Sequence, residues 1–171
     1  MGNSRRTIDC KAKSLWMEET LCVWWDQKGV IYYELQKPGE TVNTERYRQQ
    51  MINLNQALCE KRPENQKRQH KMILLHDNAP SHTAKLIKET IEVFGWEIFS
   101  HVAYSPDLAP SDYHLFASMG LVQQHFTSYK DVRKWLDDWF GSKEQQFFWR
   151  GIHKLSNRWK KYIVTDGQYF E

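Results

Sequence analysis

Two β-rich runs, LCVWWD (21–26) and VIYYEL (30–35), are separated only by Gln27, Lys28 and Gly29. A connection that short, with a glycine in it, returns the second run antiparallel to the first as a hairpin. A lone hairpin is marginal in water, so other elements of the chain must extend and cover it.

Beyond the hairpin the chain alternates between helical and strand patterns. Tyr47, Met51, Leu54 and Leu58 recur at helical spacing, with Asn43 as the N-cap and Pro63 limiting the far end. MILLH (72–76) is a short apolar run with polar flanks, which reads as a buried strand. A helix capped by Ser81 carries Ile87, Ile91 and Phe94 on its buried face and stops at Gly95, and residues 96–99 read as another strand. Pro106 and Pro110 brace the loop YSPDLAPSD (104–112), after which a helix opens near Asp112. Ser128 with Asp131, and Ser142 with Gln145, have capping-box spacing for later helices, and Trp159, Tyr162 and Ile163 mark a last one. The predicted order is β-β-α-β-α-β-α followed by two or three helices. Strands at 21–26, 30–35, 72–77 and 96–100 then form a mixed sheet covered by helices, an α/β architecture.

Composition narrows the function. The chain has 171 residues, enough for one domain with a real core. Net charge is +3, too small to imply nucleic acid alone, but basic residues cluster at Arg5, Arg6, Lys11 and Lys13 and at Lys61, Arg62, Lys67, Arg68 and Lys71. Three cysteines without CxxC spacing argue against a disulfide framework or a cysteine zinc site and fit a reducing compartment. No apolar run nears the ~18 residues of a membrane span. The first residues are polar and carry no signal-peptide core.

Two aspartates stand out by position. Asp77 directly follows the strand MILLH, and Asp112 opens a helix after the proline-braced loop. Strand ends hold side chains over an open crevice, and helix starts orient an anion. Two such carboxylates suit Mg²⁺ or Mn²⁺, which prefer oxygen ligands. Each also has a plainer reading: Asp77 opens a turn with Asn78, and Asp112 is a simple N-cap. His76, His82, His101 and His114 flank these acids but lack zinc-ligand spacing, and packing or loop hydrogen bonds explain them.

At HDNAPSH (76–82) and YSPDLAPSDYHLF (104–116) the chain resembles the mariner group of the mariner/Tc1 DNA transposases. The resemblance extends from about Leu21 through LCVWWDQKGVIYYEL, GETVNTERY, WLDDWF and WRGIHKL to the ending TDGQYFE. It includes the mariner-derived part of a human fusion with a histone methyltransferase, although nothing here is similar to a SET domain. The second and third catalytic aspartates of that group are separated by 34 residues, as Asp77 and Asp112 are here.

The resemblance implies a ribonuclease-H-like fold in which three aspartates hold two Mg²⁺ or Mn²⁺ ions for DNA strand cleavage and strand transfer. It gives Asp77 and Asp112 as catalytic metal ligands, DNA (transposon ends and target) as partner, a homodimer, and the nucleus as workplace. The family's first aspartate lies in a Thr-Gly-Asp-Glu motif ahead of LCVWWD, and no such motif occurs here. Asp9 is the only acid before a short candidate strand, in surroundings that do not match, and it is left out of the expected site. The loop that grips the partner subunit is mostly absent, and the helix-turn-helix modules have no counterpart in this sequence. Residues 1–20 therefore read as an atypical segment and 21–171 as an incomplete catalytic domain. Its central first strand is expected to be missing or replaced from residues 5–15, and its cleavage to be inefficient. The rival reading is an inactive remnant that binds DNA or dimerises.

Overall fold

The computed structural model describes residues 6–14, 19–63, 72–76, 84–100, 108–120 and 126–164. The hairpin forms as the sequence dictates, from β2 (Thr20–Asp26) and β3 (Gly29–Gln36), with Gly29 at φ +143 in the turn. The central position is filled by β1 (Arg6–Ser14), which pairs antiparallel with β2 and parallel with β4 (Met72–His76). β5 (Glu97–Ser100) adds parallel to β4, and the five strands run in the order β3-β2-β1-β4-β5.

The first strand is thus replaced, from within the 5–15 window, and no apolar slot is left between hairpin and β4. The segment set apart by its pattern lies at the middle of the sheet. Its polar letters, RTIDCKAKS, hid it because a strand is recognised by its alternation and this one buries Ile8 beside a fully buried acid, Asp9.

Alternation along the strands sorts side chains onto two faces. One face carries Ile8, Trp24, Ile31 and Leu74, and is covered by α1 (Thr44–Lys61) and α2 (Lys85–Phe94). Met51 and Leu54 of α1 are fully buried there, contributing about 1.5–3 kcal/mol each. The other face carries Leu21, Val23 and Trp25. Over it lie a π-helical segment (Ser111–Phe116) continuing as α3 (Ala117–Met119), then α4 (Tyr129–Ser142) and α5 (Gln145–Val164).

Helix ends follow the chemistry of their residues in most places. Asn43 caps α1, its side chain accepting from the Arg46 N–H at 2.8 Å, and Arg62 ends the helix before Pro63. Gly95 closes α2 at φ +76. Ser128 caps α4 by accepting from the Asp131 N–H at 3.2 Å.

Three expectations are corrected. α2 begins at Lys85 with Ala84 at the N-cap, which has no side-chain acceptor to offer, and Ser81 lies outside the described residues. Ser142 ends α4 instead of capping the next helix: its Oγ donates back to the Trp139 carbonyl at 2.7 Å. The residues around Trp159 continue α5 as one 20-residue helix, since no Pro breaks it and Gly151 is accommodated within the stripe from Phe148 through Ile152 and Leu155.

Candidate active site

Asp9 lies mid-strand on β1, fully buried, with Trp25 of β2 and Leu75 of β4 as its register partners. Being next to Ile8 in a strand, it points to the face covered by the π-helical segment and α5. Its Oδ2 accepts a hydrogen bond from the backbone N–H of Ser111 at 2.7 Å and a second from the Ser111 hydroxyl. Trp25 Nε1–H donates to Ser111 Oγ at 2.8 Å.

This contact has a clear physical origin. Pro110, at the N-cap of the π-helical segment, offers no side-chain acceptor, so the first-turn N–H groups need partners elsewhere. Asp9 supplies one from a distant strand, and the helix start in turn holds the anion. Asp112 follows Ser111 directly, sits half-buried in that first turn, and donates its N–H to the Ala109 carbonyl at 2.9 Å. The expectation of a helix near Asp112 holds, but its wide π turn was not legible; such turns recur at functional sites.

Asp77 lies outside the described residues; in sequence it follows His76, the last residue of β4. His76 is buried and shares a hydrogen bond with Tyr47 Oη through Nδ1 at 3.2 Å. His114 donates from Nε2 to the Phe147 carbonyl at 2.6 Å. Burial holds the His114 imidazole below its ordinary range; the carbonyl contact opposes this, and the cations Lys154, Arg150 and Arg158 add to it. Both histidines therefore have packing roles, as their spacing suggested, while His82 and His101 lie outside the described residues.

α5 is latched to the same helix. Tyr113 Oη–H donates to the Gly151 carbonyl at 2.5 Å, and the Arg158 guanidinium lies 4.2 Å from the Tyr113 ring centre. Burial first, and the negative charge of Asp9 second, push the Tyr113 phenol well above its ordinary range. Gly151 makes the close approach possible: a Cβ there would come within 2.8 Å of Trp25 and closer still to the His114 ring. Arg150, Lys154, Lys160 and Lys161 are exposed on α5, which contains no acidic residue at all.

Of the two basic clusters, Arg62 does not face solvent. It is buried against Asp26, which removes it from any surface patch. Lys67, Arg68 and Lys71 lie outside the described residues.

Among the described residues no three His, Cys, Asp or Glu side chains come together as a metal site. Ser111 joins Asp9 to the helix start that carries Asp112, both of them oxygen donors of the kind a hard divalent cation takes, and Asp77 follows β4 in sequence. Sequence reasoning leaves Asp9 out because its surroundings match no motif, and passes over Ser111 because nothing local in YSPDLAPSDYHLF marks it as the partner of a distant acid. The available signal was the acid at an inward position of RTID.

Residues 16–68 match a family model described as transposase (partial DDE domain). The chain is 67% identical over 153 residues to the Mariner Mos1 transposase of Drosophila mauritiana, covering 88% of this chain and 44% of that protein. It is 34% identical over 151 residues to the human histone-lysine N-methyltransferase SETMAR, covering 87% of this chain and 22% of that protein. The chain therefore spans less than half the length of these curated relatives. The catalytic domain of Mos1 transposase solved with raltegravir and Mn superposes with a TM-score of 0.91 at 62% identity, covering 99% of this chain and 86% of that one. The same domain has also been solved with Mg. With the ribonuclease-H-like sheet, both signature segments and this near-complete superposition in agreement, the chain belongs to the mariner family of DNA transposases and matches their catalytic domain.

Proposed function

We propose that this chain is the metal-dependent DNA-cutting and strand-joining module of a mariner transposase, with Asp9, Asp77 and Asp112 as the three metal ligands. The observation that carries this reading is Asp9. It occupies the central strand, level with Leu75 on the parallel neighbour that ends one residue before Asp77, and it is hydrogen-bonded to the residue preceding Asp112. It thereby supplies the third acid that the sequence motif lacks, and the expectation of inefficient cleavage no longer has that ground.

When bound, a pair of Mg²⁺ or Mn²⁺ ions supplies Lewis-acid activation of the attacking water and of the leaving oxygen. The protein's own part is positioning. The Asp9 carboxylate comes from a strand interior and Asp112 from a helix start, elements formed before substrate arrives, and Asp77 follows β4 directly in sequence. The partner is DNA. A Mos1 transposase paired-end complex with left transposon end is similar to this chain at 62% identity and a TM-score of 0.83, over 90% of this chain and 45% of that one. The acid-free basic surface of α5, beside the site helix, suits a phosphate backbone. Such work belongs in the nucleus.

Cleavage of a duplex carrying a matched transposon end, with Mg²⁺ or Mn²⁺, tests the reading. Cleavage is expected from the unmodified chain and loss to background in Asp9→Asn, Asp77→Ala and Asp112→Ala. Cleavage that survives Asp9→Asn would remove Asp9 from the site. Retention of DNA without cleavage by the unmodified chain would favour an inactive binding remnant.

A further inference from the structure

We propose that Ser111 is the positioning residue of this site, setting the Asp9 carboxylate through two donors and registering it against Asp112. The inference rests on reading Asp9 and Asp112 as metal ligands and concerns what orients them. Ser111 is fully buried and does three things at once. Its N–H and its hydroxyl both donate to the same Asp9 oxygen, Oδ2, and its Oγ accepts from Trp25 Nε1–H at 2.8 Å.

The indole contact fixes the hydroxyl rotor. With the Trp25 N–H occupying an Oγ lone pair, the Ser111 proton is directed at Asp9 instead of turning back to a helix carbonyl, the usual alternative for serine in a first turn. Two donors on one oxygen prevent the carboxylate from rotating about its last torsion, which is otherwise broad. Because Ser111 and Asp112 are consecutive, the same contact sets the distance between strand acid and helix acid. Groups that orient metal ligands in this way change affinity by about 10–100-fold when removed.

The test is Mn²⁺ affinity of the full chain, by electron paramagnetic resonance or calorimetry. Ser111→Ala is expected to weaken binding about tenfold while thermal unfolding remains cooperative, and Ser111→Thr, which restores a hydroxyl, is expected to recover most of it. A double-mutant cycle separates positioning from general damage. In an Asp9→Asn background Ser111→Ala should cost little more. The indole N–H resonance of Trp25 should also shift in Ser111→Ala and return in Ser111→Thr. Unchanged Mn²⁺ affinity in a folded Ser111→Ala chain, or an undiminished loss in the Asp9→Asn background, overturns the proposal. Absence of Mn²⁺ binding by the unmodified chain overturns the reading of the site itself.

Discussion

Arg62 and Asp26 meet as a fork on a carboxylate, with Nε to Oδ2 at 3.1 Å and Nη2 to Oδ1 at 3.0 Å. Asp26 is fully buried and also accepts from the N–H groups of Lys28 and Gly29 at 2.9 and 3.2 Å. One carboxylate thus ties the hairpin turn to the end of α1. Removing Arg62 strands a buried charge, which costs far more than losing a surface pair. Arg62→Ala is expected to destabilise the chain by about 3–5 kcal/mol in urea unfolding, and Arg62→Lys by less, since the charge survives without the fork. A cost under about 1 kcal/mol for Arg62→Ala would mean that the pair is solvated.

Gly151 sits where α5 crosses Trp25 and His114. Alanine there gains up to about 1 kcal/mol of helix propensity. It also drives a methyl group into two buried rings, an overpacking cost of about 1–3 kcal/mol. The clash should win, and Gly151→Ala should lower the thermal midpoint, with the Tyr113–Gly151 contact weakened in proportion. A rise in the midpoint would show that α5 can shift freely.

Ser128 and Ser142 look alike in sequence and differ in the fold. Ser128 caps α4, so Ser128→Ala should cost about 1 kcal/mol. Ser142 only donates back to Trp139, so Ser142→Ala should cost a few tenths at most. Equal costs in parallel denaturant titrations would contradict the assignment.

Cys22 is buried and Cys59 is half-buried, both as free thiols. Burial pushes the Cys22 thiol up to about 11 from 9.0, with the Glu34 charge adding and the Gln50 contact opposing. Iodoacetamide at pH 8 should label Cys59 and spare Cys22, read by peptide mass. Because the folded value lies above the unfolded one, the stability held by protonated Cys22 is full below about pH 9 and is lost as pH rises through about 11. Rapid labelling of Cys22 at pH 8 would mean that β2 opens locally.

The basic surface of α5 makes a prediction about DNA retention. Arg150→Ala and Lys154→Ala should each weaken binding evenly across sequences and lower the salt slope by about 0.9 per lost phosphate contact. Titrations at two salt concentrations check this. Unchanged slopes in both variants would move the contact surface elsewhere.

Local chemistry decided much of this chain. The hairpin at Asp26 to Gly29, the helix bounded by Asn43 and Pro63, and the stop at Gly95 follow from short-range rules of turn, cap and period, so they were readable. Asp112 at a helix start was readable for the same reason. The role of residues 6–14 was not. A strand with basic and polar letters becomes central only because β2 and β4 take its backbone hydrogen bonds on both sides, and those partners are remote in sequence. The burial of Asp9 depends on Ser111, 102 residues away, which offers two donors to a carboxylate that no local pattern could stabilise. Arg62 shows the converse: a residue that belonged to a basic surface loop by sequence is drawn inside by one buried aspartate. Sequence sets what each segment can form; which polar groups may be buried is settled only where tertiary contacts bring their partners.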